Sequence, residues 1–367
     1  MTLSRHSVVP PCERMHMIGK FLRKRERAKL KALLSLVNEK SQPNLNAFAQ
    51  AVNDLTATQL SVKLYGYDIA RKLAESLPIP DETSPYHVGL KTSLSVQKDI
   101  ESEWAAHWCA ELKIPVVYHR KIWELVYILQ AMFEEGHLKS GARALGFGCG
   151  EEPFPSYLAS LGIKVTMTDL APDLAQEAGW ADTNQHTSSL EKAHKPHLVD
   201  LQSFRNLVNL EYVDMNTIPK TLKNFDFCWS MCALEHLGSI DKGLDFIEKS
   251  LQTIRVGGLS VHTTEFNINP EGPTIDNWVT VLFQKKHIEA LAIRLRKQGH
   301  YVAELNFDLG DKVMDRFIDI PPFHHNMPPE IQEWVGEQFH LKIGFDGFVS
   351  TCLGIVVRKG GLDHMFA

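Results

Sequence analysis

The 367-residue sequence contains no apolar run that approaches the roughly 18 residues needed for a membrane-spanning helix. Its first residues, MTLSRHSVVPPCERMHM, contain no apolar stretch of signal-peptide length. These two absences argue against helical membrane spans and against secretion. We therefore expect a soluble, cytoplasmic protein.

Closely spaced cysteines are also missing. The six cysteines lie far apart and none forms a Cys-x-x-Cys pair, so the sequence indicates neither a zinc-finger type of site nor a disulfide framework. There is no internal repeat and no low-complexity tract. Hydrophobic residues make up 44% and charged residues 23% of the chain, which is typical of globular proteins and excludes disordered, collagen-like and coiled-coil chains.

The net charge of −5 is unevenly distributed. Residues 1–40 contain ten Lys and Arg against three Asp and Glu. Leu30, Leu33, Leu34 and Val37 recur there at helical spacing, which predicts an amphipathic helix with a solvated basic face. A contact with nucleic acid or an anionic membrane is the alternative, but no aromatic interleaving or RNA-binding motif accompanies the charge. We therefore do not predict a nucleic-acid partner.

The two parts of the chain differ in pattern. Up to about residue 138 the spacing predicts helices, at about 47–77, 94–112 and 122–133. From residue 141, short apolar strands alternate with helical segments, which is typical of βαβ units. The predicted strands are 143–147, 164–168, 210–213, 225–230, 259–264, 302–307 and 349–357. The predicted helices are 155–161, 242–254 after an Asp241 N-cap, and 286–298 before Gly299.

These patterns predict an α/β protein with a doubly wound, mostly parallel sheet in residues 139–367. Residues 1–138 are predicted to form an N-terminal helical cap, of which residues 1–40 are the basic part. Ligands of such sheets bind in a crevice at the carboxyl ends of the strands.

One segment, ALGFGCGEEPFPSYLASLGIKVTMTDL, carries most of the functional information. A predicted strand leads into Gly146-x-Gly148-x-Gly150, a helix follows, and the next strand ends at Asp169, 23 residues after the first glycine. Glycines suit a loop that turns tightly against a ligand, and an acid at this distance suits a ribose diol. A plain turn in an α/β domain is the alternative interpretation.

The residues after the loop distinguish between two cofactors. A dinucleotide site would want a third glycine at the position of Glu151, and Glu152 follows it. Two carboxylates would repel a pyrophosphate, whereas the sulfonium and ammonium groups of S-adenosylmethionine are positive. The charge pattern therefore favours S-adenosylmethionine.

The chain resembles the class I S-adenosylmethionine-dependent methyltransferases over about residues 141–358. The strings LGFGCGEEP, WSMCALEHLGS and VGGLSVHTTEFN, together with YHRKIWE in the helical part, resemble a set of bacterial methyltransferases found among sugar and cell-surface-glycan genes. The resemblance implies a seven-stranded sheet whose last strand is antiparallel. It also implies cofactor contacts, which fall on Gly146, Gly148, Gly150 and Asp169, on Asp214 and Met215 beside the adenine, and on Ser230 at the end of the fourth strand.

Candidates for the chemistry follow the fourth and fifth strands. An alcohol acceptor must lose a proton during methyl transfer, and a neutral histidine is the natural base near neutral pH. His236, preceded by Glu235, is the first candidate, and His262 within the fifth strand is the second. Glu265 and Asn267 come where that strand ends and could contact acceptor hydroxyls.

A divalent metal is an alternative that this spacing does not specify. Glu235, Glu265 and Asn267 could supply hard oxygen ligands. Since the spacing is not diagnostic, we predict no metal ligands.

The sequence therefore predicts a methyltransferase that modifies a hydroxyl of a sugar, a glycan precursor or another small molecule. A dinucleotide-dependent oxidoreductase is one alternative. A noncatalytic protein that keeps the fold and binds a partner through the basic segment is another. The prediction that the acceptor is a sugar or glycan precursor is based on the resemblance, because a fold does not determine a substrate.

Overall fold

The computed structural model describes residues 42, 44–78, 84–177 and 186–361. The predicted basic helix lies outside the described residues. A boundary between Val62 and Lys63 separates two compact units, and the sheet belongs to the second of them together with residues 63–138. A capping role for residues 1–138 stays a prediction.

The described residues form one sheet of eleven strands. The strands are β1 Thr92–Leu94, β2 Arg143–Phe147, β3 Lys164–Asp169, β4 Val208–Tyr212, β5 Phe225–Met231, β6 Ile254–Asn267, β7 Tyr301–Val302, β8 Leu305–Asn306, β9 Ile318–Asp319, β10 Lys342–Phe345 and β11 Phe348–Arg358.

The strand order is that of a doubly wound sheet with an inserted last strand. It runs β4-β3-β2-β5-β6-β11, and β2 to β6 are mutually parallel. β11 pairs antiparallel with β6 on one side and with β7 on the other. The antiparallel last strand that the resemblance implies is therefore present, whereas a dinucleotide-binding sheet has the order 3-2-1-4-5-6.

The predicted count of seven strands was too low. All seven predicted strands are present, but residues 302–307 form two short strands, β7 and β8, instead of one. Three further strands, β1, β9 and β10, contain only two to four residues each. Strands of two to four residues are too short to show a recognisable alternation of apolar and polar residues.

Three short strands cover the edge of β11 that faces away from β6. β10 pairs with its first residues, β1 with Leu353 and Gly354, and β7 with Val357 and Arg358. A helix was predicted to begin at Leu94, but Leu94 is the last residue of β1 and the helix begins at Gln97. The segment before β2 therefore contributes a strand to the sheet.

Twelve α-helices are present in the described part of the chain. They are α1 Leu45–Ala74, α2 Gln97–Ile100, α3 Glu103–Leu112, α4 Arg120–Glu134, α5 Phe154–Ser160, α6 Pro172–Glu177, α7 Leu190–Ala193, α8 Leu201–Leu207, α9 Ile240–Ser250, α10 Lys285–Lys297, α11 Val313–Arg316 and α12 Pro329–Val335. No described helix is both long and apolar enough to cross a bilayer.

Helix α4 connects the N-terminal part to the sheet. Its N-cap is His119, whose Nδ1 accepts a hydrogen bond from the amide of Lys121 at 3.0 Å. Its buried face packs against β5, β6 and β11, and its first turn lies near the end of β6, where Arg120 forms an ion pair with Glu265. The apolar stripe of this helix was predicted correctly.

Helix α9 begins earlier than predicted. Its N-cap is Ser239, whose side chain accepts from the amide of Lys242, and not Asp241, which lies in the first turn. The helix ends at Ser250 because Ile254 already belongs to β6. Its buried face joins β2, β6 and α10 in the main hydrophobic core.

Candidate cofactor and acceptor site

A cavity of about 500 Å³ lies at the carboxyl ends of β2, β3 and β5. The strand order changes direction between β2 and β5, and the ligand crevice of a doubly wound sheet opens at such a point. Its volume falls within the range of about 300–1,000 Å³ for small-molecule sites. Its walls come from the glycine loop after β2, the end of β3, residues 213–216 after β4 and residues 231–237 after β5.

Gly148 and Gly150 line this cavity in left-handed backbone conformations, with φ of +58° and +49°. Residues with side chains rarely adopt such angles. A Cβ on Gly148 would also lie 2.9 Å from Cβ of Ala233 and 3.4 Å from Sδ of Met215. The loop therefore requires glycine at position 148 for backbone conformation and for space.

Gly146 is constrained by packing inside the sheet. It lies inside β2 and does not line the cavity, and a Cβ there would lie 2.4 Å from the indole of Trp229 and 2.3 Å from Sγ of Cys149. Gly146 is needed because Trp229 of the neighbouring strand packs across it. A direct cofactor contact by its backbone stays a prediction.

The carboxylate of Asp169 shapes the glycine loop. It accepts hydrogen bonds from the amides of Gly150 and Thr187 at 3.1 Å each, and from its neighbour Leu170 at 2.8 Å. Burial raises the pKa of Asp169, and these amide donors oppose that shift. A carboxylate has about four acceptor positions, so one is left for a ligand hydroxyl on the cavity side.

The two acids after the loop lie in different environments. Both line the cavity, but Glu151 is exposed whereas Glu152 is buried and accepts a hydrogen bond from the Trp229 indole. Burial raises the pKa of Glu152 to about 8, against the lowering effect of that hydrogen bond. The cavity therefore contains a carboxyl group that a nearby positive ligand would favour in its ionised form.

Asp214 and Met215 line the cavity after β4, at the position predicted for the adenine. Oδ1 of Asp214 accepts from the amide of Asn216 at 2.8 Å, which fixes the turn. The Met215 side chain is buried beside the glycine loop. Their contact with an adenine stays a prediction.

Ser230 and His262 form a buried polar pair that does not line the cavity. The Oγ of Ser230 is 2.8 Å from Nδ1 of His262, and the Oγ of Ser260 is 2.7 Å from Nε2. Burial lowers the pKa of His262 to about 3. Because both ring nitrogens bind buried serines, the imidazole connects β5 to β6 and does not reach a ligand in the cavity.

His236 is the histidine that reaches the cavity from the segment after β5. Its Nδ1 lies 3.0 Å from the carbonyl oxygen of Val279 and 3.2 Å from Oγ1 of Thr280. A carbonyl only accepts hydrogen bonds, so Nδ1 carries the proton in neutral imidazole and Nε2 is the nitrogen that can take one. This tautomer is the one that a general base requires.

Glu235 points into the protein and does not line the cavity. Its Oε2 accepts from Oγ1 of Thr264 at 3.0 Å, and its Oε1 has no hydrogen-bond partner. Burial raises the pKa of Glu235. If Glu235 takes part in catalysis as predicted, it does so without lining the cavity.

Glu265 is neutralised by an arginine from helix α4. The Arg120 guanidinium forms an ion pair with it, and Oγ of Ser350 also donates to it. Burial disfavours the charged form, yet the cations of Arg120 and Lys121 hold the pKa of Glu265 below its ordinary value. Glu265 is therefore the counterion of Arg120 and not a base.

Of the three residues considered as hard metal ligands, Glu235 and Glu265 lie close together beside Cys232, whereas Asn267 is not part of that group. Nδ2 of Asn267 donates to Oγ1 of Thr274, and its Oδ1 accepts from the amide of Asn269, so this side chain is used within its own loop. Glu265 is occupied by Arg120.

Lys121 is a cavity residue that the sequence analysis missed. It lines the cavity from the first turn of α4, and its Nζ lies 3.3 Å from the buried carboxylate of Glu124. Lys121 belongs to YHRKIWE, a string that the sequence analysis used only for the resemblance. The aromatic residues of that string do not line the cavity, since Tyr118 bonds to Glu101 and Trp123 to Asp99.

No protein-family model and no curated protein matches the chain. Among solved structures, an S-adenosylmethionine-dependent methyltransferase from Mesorhizobium loti is 14% identical, with a TM-score of 0.34 over 62% of this chain and 96% of that one. One from Aquifex aeolicus is 14% identical, with a TM-score of 0.32 over 62% and 87%. The N-terminal domain of EvdMO1, crystallised with S-adenosylhomocysteine and D-fucose, is 13% identical, with a TM-score of 0.36 over 63% and 81%.

The chain is similar to these proteins. Because their TM-scores are below 0.5, the assignment of the fold rests on the strand order and on the antiparallel β11.

Proposed function

We propose that the protein is an S-adenosylmethionine-dependent O-methyltransferase that acts on a sugar, a glycan precursor or another hydroxylated small molecule. The observation that carries this proposal is the acidic pair Glu151 and Glu152 in the cavity wall, directly after the glycine loop at the switch point of the sheet. When these carboxyl groups are ionised they attract a positive ligand and repel a pyrophosphate, and a positive ligand itself favours their ionised form.

A dinucleotide-dependent oxidoreductase is disfavoured by two features. The loop lacks the third glycine that lets a pyrophosphate approach the following helix, and α5 begins instead at Phe154 after the two acids and Pro153. The antiparallel β11 between β6 and β7 also departs from the order of dinucleotide-binding sheets.

The residues of the chain then have separate tasks. Bound S-adenosylmethionine supplies a methyl group on a positive sulfur. Gly148 and Gly150 would admit its methionine end, and the carboxylate of Asp169 would bind a ribose hydroxyl. Nε2 of His236 would take the proton of the acceptor hydroxyl, whose oxygen would gain the methyl group as the carbon–sulfur bond breaks and S-adenosylhomocysteine is released. Lys121 places a cation at the same wall. Most of the acceleration comes from alignment, because the transferred carbon is already activated.

Two measurements test this function. We expect S-adenosylhomocysteine to bind in calorimetry and NAD not to bind, and we expect radiolabel to pass from the methyl group of S-adenosylmethionine to hydroxylated members of an acceptor panel. Tight binding of NAD would support the oxidoreductase instead. Cofactor binding without transfer to any sugar, nucleotide sugar, amine or nucleic acid of the panel would support a noncatalytic partner-binding protein.

The raised pKa of Glu152 predicts that the preference for S-adenosylmethionine over S-adenosylhomocysteine depends on pH. With a pKa of about 8, the carboxyl is mainly protonated at pH 7 and ionised at pH 9, and only the ionised form attracts the fixed sulfonium charge. We expect the affinity for S-adenosylmethionine relative to S-adenosylhomocysteine to rise over this interval by up to about tenfold. Calorimetry at several pH values measures it.

Glu152→Gln is the matched control for this effect. Its amide keeps the shape and stays neutral, so the affinity ratio should not change with pH. If the wild-type affinity ratio is also independent of pH, the charge of Glu152 does not interact with the sulfonium.

A further inference from the structure

Two cysteines lie close together, of which Cys232 lines the cavity and Cys352 is buried beside it. The Sγ atoms of Cys232 and Cys352 are 3.9 Å apart, although the two residues are 120 positions apart in the chain. Sγ of Cys352 also donates to Oε1 of Glu124 at 2.8 Å. One ligand atom from each of these three residues lies within 4.8 Å of the other two.

The spacing of the two sulfurs suits a tetrahedral metal. With zinc–sulfur bonds of about 2.3 Å, tetrahedral angles place two thiolates about 3.8 Å apart. The observed separation of Cys232 and Cys352 is 3.9 Å. Cys232 also has a left-handed backbone, with φ of +44°, a conformation that costs energy for a residue with a side chain and concentrates at functional sites.

A further buried carboxyl group, that of Glu235, lies beside Cys232. Oε1 of Glu235 is fully buried and has no hydrogen-bond partner. The carboxylates of Glu235 and Glu265 each have an oxygen within 4.8 Å of Sγ of Cys232. Leaving a buried acceptor unpaired is costly, and a nearby cation would reduce that cost.

The surrounding charges would remain balanced on zinc binding. Without metal, the cations Arg120 and Lys121 lie among the carboxyl groups of Glu124, Glu235 and Glu265, with both thiols neutral. Zinc would add two positive charges and displace one proton from each thiol, so binding would leave the net charge of this cluster unchanged. Arg120 lies 3.4 Å from Sγ of Cys352, where it would also stabilise a thiolate.

We propose that Glu124, Cys232 and Cys352 bind Zn²⁺ as three protein ligands. Three ligands with one open position is the arrangement of reactive zinc sites. Cys232 is the member that lines the cavity, so the metal lies next to the region where an acceptor enters. The site does not depend on the proposed methyl transfer, since zinc binding is measured without cofactor.

The test uses the full chain, stripped with a chelator, reduced and free of affinity tags. After addition of Zn²⁺ and desalting, elemental analysis should find one zinc per chain, and titration against a chromophoric chelator gives the affinity. Co²⁺ in place of Zn²⁺ should produce a thiolate-to-cobalt absorption band in the near ultraviolet. Cys232→Ser and Cys352→Ser should each weaken zinc binding by at least about 100-fold.

Cys228→Ser is the matched control, because Cys228 lies on β5, four residues before Cys232, and its Sγ donates to the carbonyl oxygen of Ser250 at 3.9 Å and belongs to neither group of potential metal ligands. This variant should keep its zinc. The proposal is overturned if the reduced wild-type protein binds no zinc, if all variants bind it equally, or if bound cobalt shows no thiolate band. The cobalt spectrum of the wild type decides the matter even if a serine variant does not fold.

Discussion

Replacing Gly148 by valine is expected to weaken S-adenosylhomocysteine binding by at least about 100-fold, or about 2.7 kcal/mol. The new side chain would meet Ala233 and Met215 at 2.9 and 3.4 Å, and both of these residues line the cavity. Its φ of +58° is also unfavourable for a β-branched residue. Calorimetry of the folded variant, checked by circular dichroism, measures the loss.

Gly141→Val separates backbone strain from loss of the site. Gly141 precedes β2 at the opposite end of the sheet, also has a positive φ of +83°, and a Cβ there would contact nothing within 4 Å. Both variants should lose about 1–3 kcal/mol of stability from the strained backbone, but only Gly148→Val should lose the cofactor. If both variants bind S-adenosylhomocysteine with equal affinity, the glycine loop is not part of the binding site.

His236→Ala is expected to lower kcat by about 10²- to 10⁴-fold, the usual contribution of a positioned base. The affinity for S-adenosylmethionine should stay nearly unchanged, because the imidazole acts on the acceptor. Steady-state kinetics, with calorimetry for the cofactor, measure both effects.

Thr280→Val is the matched control for this variant. It removes the hydroxyl that lies 3.2 Å from Nδ1 of His236 but keeps the imidazole and the Val279 carbonyl, so kcat should change by less than about tenfold. If His236→Ala loses cofactor binding and rate to the same extent, His236 is a structural residue of the cavity and the base is elsewhere.

The central strands could be predicted because each is an apolar run long enough to be recognised. The parallel order follows from their alternation with helices, and the crevice follows from that order. The short strands could not be predicted, with one exception. β10 and β11 are joined by Asp346 and Gly347, both with positive φ, and Asp-Gly between two strands is a hairpin signal that the sequence analysis did not use.

The site was predictable where backbone conformation dictates the residue and less so where distant segments meet. Gly148, Gly150, Asp169 and His236 all line the cavity as their positions after strands suggest. The sequence could not show that Ser230 and His262 bind each other across β5 and β6. Nor could it show that Cys232 lies beside Cys352, because cysteines 120 residues apart carry no spacing signal.

The strands that cover β11 also decide where the chain can be cut. A fragment that begins at residue 139 would lack β1, so the backbone groups of Leu353 and Gly354 that pair with Ser93 and Leu94 would lose their partners. It would also lack α4, which packs on β5, β6 and β11. An open strand edge next to uncovered apolar residues promotes association between molecules. For expression of a minimal catalytic fragment, the usable starting points therefore lie before Thr92.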